Sequence, residues 1–160
     1  MPVELCPAAG LDAPFLTEML VLAVGRPERP SGSVEQVLSQ PQLAHYVAGW
    51  PRPGDLGVIS SDRPRSVGAA RLRLFPAGDP GYGFVDADTP ELAMGVLPER
   101  RGRGVGTRLL DALIDAAHQH GLPAISPSVN RDNPARRLYR RAGFRQVDQT
   151  DDAFNMVPRL

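Results

Sequence analysis

The chain has 160 residues, 42% apolar and 22% charged, with 18 basic side chains balanced by 18 acidic ones. That composition suits one globular domain burying roughly 70% of its unfolded surface, and it excludes a disordered chain. Zero net charge argues against a general nucleic-acid binder, and the absence of lysine removes a Walker A loop and every lysine Schiff base.

In chain order, Val3 to Pro7 is short and β-compatible. Cys6 is the only cysteine, so no intrachain disulfide forms; it is read as a packed thiol, and the chain as cytoplasmic. No apolar run approaches the roughly 18 residues of a membrane span, and no signal segment opens the chain. Asp12 is predicted to cap a helix whose apolar side carries Phe15, Leu16, Met19, Leu20, Leu22 and Ala23. Arg26 to Gly32 reads as a loop. Ser33 with Gln36 makes a capping box for a second helix, which Pro41 must kink or restart. Leu56–Ser60 and Ser66–Phe75 form a hairpin about Ser61 to Pro64, and the second strand is expected to be buried on one face and partly wet on the Arg71 and Arg73 face. Pro76 to Pro90 is a long Gly/Pro/Asp-rich loop, of the kind that is functional or mobile. Strands follow at Glu91–Leu97 and Ala124–Val129, the second interrupted by Pro127. Phe144–Val147 and Ala153–Val157 close the sheet across Asp148 to Asp152.

The stretch Met94 to Leu110 organises the rest. An apolar run ends at Leu97, a turn follows at Pro98, and Gly102, Gly104 and Gly106 alternate. A helix then begins with Leu109, Leu110, Leu113, Ile114 and Ala117 on one face. A glycine-rich turn feeding a helix N-terminus leaves backbone N–H groups pointing outward, and the helix dipole makes them a phosphate site. Arg101, Arg103 and Arg108 add positive charge. Residues 100 to 145 hold 10 arginines against 3 acids, whereas residues 1 to 99 hold 7 against 12. The basic half is thus the half with the cradle. The dinucleotide fingerprint fails, because its third glycine falls one residue early.

What remains is the pattern Arg/Gln-x-x-Gly-x-Gly/Ala, met by Arg101, Gly104 and Gly106 after Val96-Leu97-Pro98-Glu99. It resembles the acyl-CoA signature of the GNAT superfamily of N-acetyltransferases. A second stretch, Asn133-Pro-Ala135-Arg-Arg-Leu138-Tyr139-Arg-Arg-Ala142-Gly143-Phe144, resembles the later motif of that family. It also makes sense alone: Asn133 suits an N-cap, Pro134 the first helical position and Gly143 the C′ position.

The resemblance implies residues 1–160 as one α/β (α+β) domain. Its mixed, mostly antiparallel twisted sheet has six to seven strands, about four flanking helices and a splayed central pair. Acetyl-CoA is the implied co-substrate, its pyrophosphate held by the N–H groups of Gly102, Arg103, Gly104, Val105, Gly106 and Thr107, with Val96, Leu97, Arg101 and Asn133 completing the site. The pantetheine arm is expected between the splayed strands, with the missing N–H of Pro127 facing that gap. Tyr46 and Trp50 are candidates for the acceptor pocket, or for packing; Tyr82, Phe84, Asp86 and Asp88 for its entrance.

Acyl transfer to an amine needs a base, a stabilised oxyanion and a protonated leaving thiolate. The resemblance implies direct attack without a covalent enzyme intermediate. A backbone N–H near Val96 polarises the carbonyl, and Tyr139 donates a proton to the CoA sulfur. Glu91 is the first choice for the base, because the carboxylate that some relatives carry on the later strand is Ser128 here. Asp86, Asp88 and a water chain stand in reserve. His118 and His120 point to different sides of one helix end, and no spacing fits a metal site. The expected acceptor is a primary amine of a small molecule, with neither nucleic acid nor membrane as partner. The acidic N-terminal half weakly favours a cationic acceptor, and the resemblance allows a homodimer. The alternatives are a protein amine acetyltransferase, a non-catalytic acyl-CoA sensor and an arginine-rich nucleic-acid binder.

Overall fold

The computed structural model describes residues 3–24, 33–81, 86–122, 124–130, 135–149 and 153–157. Its strands are β1 (Glu4–Pro7), β2 (Leu56–Ser61), β3 (Ser66–Arg73), β4 (Glu91–Val96), β5 (Ser126–Asn130), β6 (Arg145–Gln149) and β7 (Ala153–Val157). They form one sheet in the order β1-β2-β3-β4-β5-β7-β6. Every adjacent pair is antiparallel except β4 and β5. The helices are α1 (Ala13–Val24), α2 (Val34–Leu38), α3 (Pro41–Ala44), α4 (Val105–Gln119) and α5 (Ala135–Arg141). This is the expected mixed architecture, with one more helix because Pro41 restarts the chain at the first position of α3. Asp148 and Gln149 extend β6 into what the sequence assigns to the turn.

Strand alternation sorts the core onto two faces. On one, Val58 of β2 and Ala70 and Leu72 of β3 pack against Leu109, Leu110, Leu113 and Ala117 of α4. Each of those three helix leucines contributes about 1.5–3 kcal/mol by leaving water. On the other face, Ile59 and Ala69 meet Leu16, Met19 and Leu20 of α1, with Val37 and Leu43 beyond them. The expectation that β3 is partly wet on its arginine face is therefore corrected: Arg71 and Arg73 are 3% and 2% exposed. α1, α2, α3 and the residues from His45 to Trp50 cover them, burying their alkyl stems, and the charged heads find partners inside.

Helix ends follow local chemistry. Ser33 Oγ accepts from Gln36 N–H at 3.1 Å and Gln36 Oε1 accepts from Ser33 N–H at 2.9 Å, closing the capping box on α2. Gly121 and Gly143 take φ of +69° and +96°. Beyond them Leu122 N–H donates to Ala117 O and Phe144 N–H to Tyr139 O, both at 3.0 Å, which stops α4 and α5. Asp12 differs from expectation. It ends a short 3-10 turn, Gly10–Asp12, and its carboxylate accepts from Ala9 N–H at 2.7 Å instead of capping α1. Cys6 differs as well: it lies exposed on the edge strand β1, which among the described residues has a neighbour on one side only. Among the described residues no helix is long and apolar enough to cross a membrane.

α1 lies close on β4 at Gly95. A Cβ there would stand 3.0 Å from Met19 O and 3.1 Å from Met19 Cβ, so only glycine admits the helix backbone. Gly95→Val is expected to destabilise the fold by about 1–3 kcal/mol through overpacking. In urea denaturation the midpoint falls with the slope unchanged; an unaltered midpoint would show that α1 moves aside freely.

Candidate active site

β4 and β5 run side by side for two residue pairs only, Glu91 with Ser126 and Leu92 with Pro127. β4 then continues to Val96 along β3, while β5 turns to pair with β7 from Ser128 onward. Two hydrogen bonds set the phase of β4: Leu97 N–H donates to Val67 O, and Ser126 N–H to Pro90 O, both at 2.9 Å. Alternation between those anchors turns the N–H and C=O groups of Met94 and Val96 away from β3 and into the opening. Arg101 enters the same opening, its Nε donating to Val96 O at 3.1 Å. Pro127 does not behave as expected. Ser126 N–H faces β4, so the proline nitrogen faces the β7 edge, where it has no donor for the ladder that begins at Ser128.

The glycine turn lies at the end of this opening. After a 3-10 turn at Pro98–Arg100 and an extended Arg101, Gly102 and Gly104 adopt φ of +76° and +82°. Gly104 is the N-cap of α4 and offers no side chain, and no acid occupies the first turn. The first bond of the helix is Arg108 N–H to Gly104 O at 3.1 Å. The amides of Val105, Gly106 and Thr107 therefore precede the helical ladder, with the dipole behind them. No heavy atom outside the adjoining chain lies within 4 Å of a Cβ built at Gly102 or Gly104, so a ligand can approach this backbone. Gly106 serves packing instead, since a Cβ there would stand 3.3 Å from Leu138 of α5.

Surrounding charges divide. Arg103 is exposed beside the turn, whereas Arg108 reaches past it, its Nη1 donating to Val3 O at 2.6 Å. Arg108 is thus engaged with the N-terminal segment and not with the cradle. Arg100 pairs with Asp62, and Arg65 with Glu99 at 3.0 Å, which ties the tip of the β2–β3 hairpin to the turn before the cradle. Tyr139 is 5% exposed, its ring 5.3 Å from that of Phe144. Burial pushes its phenol above the ordinary value, so it stays protonated. Asn133 lies outside the described residues.

The face beneath α1–α3 carries a buried polar cluster. Glu91, 3% exposed, accepts from Tyr46 Oη–H at 2.9 Å and packs against Gly81, where a Cβ would collide with the carboxylate. Opposite Glu91 in the register, Arg73 grips Asp55 through Nε at 3.1 Å and Nη2 at 2.7 Å. Its Nη1 donates to His45 O at 2.9 Å and Ala48 O at 2.8 Å. His45 Nδ1 lies 2.9 Å from Asp79 Oδ1. Arg71 Nη1 donates to Tyr46 O; burial, and secondarily Arg73, lower its pKa to about 10, leaving it charged at neutral pH. Trp50 packs against Gly57 and donates to Ala9 O at 3.2 Å, so its place is structural. Asp86 and Asp88 form an exposed turn of their own, and Tyr82 and Phe84 lie outside the described residues. Sequence reasoning missed Asp55 and both arginines; the available signal was two charges at alternate positions of a strand with apolar neighbours.

Residues 27–144 match the model of the acetyltransferase (GNAT) family. L-2,4-diaminobutyric acid acetyltransferase of Nocardia farcinica is 35% identical over 57 residues, which are 33% of this chain and 30% of that one. Mycothiol acetyltransferase of Clavibacter michiganensis subsp. michiganensis is 47% identical over 55 residues, 34% of this chain and 18% of that one. The chain therefore matches less than a third of the length of these curated relatives. Among solved structures, PaiA N-acetyltransferase from Thermoplasma acidophilum in complex with coenzyme A superposes with a TM-score of 0.67. It is 18% identical, and the match covers 100% of both chains.

Replacing Gly104 by alanine tests the turn. A non-glycine residue in the left-handed region costs about 1–2 kcal/mol of stability. Displacing one amide from a phosphate is expected to weaken acetyl-CoA binding about 10- to 100-fold by calorimetry. Undiminished affinity would place the phosphates elsewhere.

Proposed function

The chain belongs to the acetyltransferase (GNAT) family, and we propose that it transfers an acetyl group from acetyl-CoA to a primary amine of a small molecule by direct attack. The observation that carries this reading is the juxtaposition of two sets of backbone donors. The amides of Val105, Gly106 and Thr107 lie at one end of the opening between β4 and β5, and those of Met94 and Val96 line it. An anion at the first set and an acyl carbonyl at the second match the two ends of an acyl-CoA thioester. The names of the two relatives, one for diaminobutyric acid and one for mycothiol, support a small acceptor.

Acetyl-CoA supplies the activated acyl group, and the chain supplies position and protons. Gly102 to Thr107 bind the pyrophosphate, and Arg101 and Leu97 hold the turn against β4. Val96 N–H faces the carbonyl oxygen as it gains charge. Tyr139, kept protonated by burial, donates to the departing sulfur. Glu91 receives the proton of the amine. Five strand residues, about 16 Å at the usual rise, separate Glu91 from Val96, so the proton travels by Tyr46 Oη or by water.

Calorimetry with acetyl-CoA, followed by thiol release over a panel of amines, tests the assignment. Micromolar binding with amine-dependent thiol release is expected. Binding without release on any amine would reduce the protein to an acyl-CoA sensor, and no binding would remove the cradle. Tyr139→Phe is expected to lower kcat about 100-fold across pH 6–10 with little change in acetyl-CoA affinity. Glu91→Gln is expected to lower kcat by about the same factor, again with little change in acetyl-CoA affinity. A kcat within twofold of wild type in either variant would reassign that role.

A further inference from the structure

Residues 102 to 104, which begin the phosphate cradle, are held by little of their own. Their amides donate to no backbone carbonyl among the described residues, and nothing lies within 4 Å of a Cβ built on Gly102 or Gly104. That openness admits a ligand, but two glycines in three residues also make the segment costly to order. Ordering it before the ligand arrives removes that cost from binding and raises affinity. The fastening must come from the flanks.

Both flanks are fastened, and to the same corner of the fold. On the near side Arg100 pairs with Asp62, and Arg65 Nη2 lies 3.0 Å from Glu99 Oε1. On the far side Arg108 Nη1 donates to Val3 O at 2.6 Å. Glu4, next to Val3, pairs with Arg63 at 2.7 Å, which joins the N-terminal strand to the same hairpin tip. The tip is itself braced. Asp62 N–H donates to Arg65 O, and Ser61 Oγ accepts from Arg63 N–H and donates to Arg65 O, all at 3.1 Å.

The ion pairs are unequal. Exposed pairs contribute little, and the side chains of Glu4, Arg63, Arg65 and Glu99 are all half exposed or more. Asp62 and Arg100 are the sheltered pair, 16% and 30% exposed. Arg100 ends the 3-10 turn, and its backbone N–H donates to Leu97 O at 2.8 Å. A guanidinium gripped by Asp62 therefore fixes the turn from which the cradle departs. We propose that Asp62 is a positioning residue for the acyl-CoA site: through Arg100 it holds the 3-10 turn in place and keeps residues 102 to 104 ordered for the pyrophosphate before it binds. This rests on the acetyltransferase reading. Charge and position pull in opposite directions here. A carboxylate on the flank of an anion site opposes the anion, so its removal would strengthen binding if charge alone mattered. Because Asp62 acts through Arg100, its removal weakens binding instead.

Calorimetry with acetyl-CoA on Asp62→Asn, Asp62→Ser, Asp62→Glu, Arg100→Gln and the double variant Asp62→Asn/Arg100→Gln tests this. Asp62→Asn and Asp62→Ser are expected to raise Kd about 5- to 20-fold, while Asp62→Glu, which keeps the charge, stays within about threefold of wild type. Arg100→Gln is expected to match Asp62→Asn, and the double variant to bind no more weakly than either single one, since all three break the same pair. In steady-state thiol release the loss falls on KM for acetyl-CoA while kcat at saturation holds, a split that general destabilisation would not produce. Circular dichroism at the assay temperature confirms that each variant is folded. Unchanged or tighter acetyl-CoA binding by a folded neutral variant of Asp62 would overturn the proposal. So would losses that multiply in the double variant, which would make Arg100 a direct phosphate ligand. Absence of binding by the wild-type protein would remove the cradle itself. Binding without thiol release on any amine would overturn the catalytic reading, while the calorimetric comparison still decides the role of Asp62.

Discussion

The parting of β4 and β5 after Leu92 is the constraint on which the rest of this structure depends. Backbone polar groups inside a sheet are normally consumed by its ladders, because an unpaired buried amide is expensive. Here two neighbouring strands share two residue pairs and then turn to other partners, so a short edge opens in the middle of the sheet instead of at its rim. Holding that opening takes packing on both sides. Leu138 against Gly106 fixes α5 to the start of α4, and Gly95 lets α1 lie close on β4 from the opposite face. Pro127 contributes from within β5 by withholding a donor on the β7 edge, where that ladder stops.

The buried charges belong to the same scheme. A strand whose alternate residues are Ala69, Arg71 and Arg73 buries its arginines only if something balances them. Asp55 and three carbonyls, those of His45, Tyr46 and Ala48, do so. These bonds also fasten the segment after α3 to the sheet and thereby place Tyr46 over Glu91. One network therefore anchors the covering layer and positions the candidate base. Buried ion pairs contribute little net stability as a rule, but breaking one partner is costly. The layer above the sheet is accordingly fixed in register more than it is tightly bound.

Much of this was legible in the residues and some was not. The glycine turn, the core face of α4, the Ser33 capping box and the helix stop at Gly143 were readable because each depends on chemistry within a few positions. Arg71 and Arg73 looked like the wet side of a strand because the alternation is real, and only tertiary cover turns that face inward. Arg108 looked like part of the cradle by proximity in sequence, but one helical turn carries it toward Val3. Pro127 was read correctly as a disturbance and assigned to the wrong edge. Which edge its nitrogen faces depends on the phase of β5, which is set by the bond from Ser126 to Pro90.

β1, at one rim of the sheet, has a consequence for how copies of this chain behave toward one another. A strand with one neighbour offers its other row of donors and acceptors to any chain that can add to it. β1 is four residues long and ends in Pro7, which has no hydrogen to give. Glu4 at its other end forms an ion pair with Arg63 at 2.7 Å. A rim so short, charged at one end and donor-poor at the other, is a weak template for edge-to-edge stacking. The sheet can thus hold an opening at its centre while its first strand discourages aggregation from the outside.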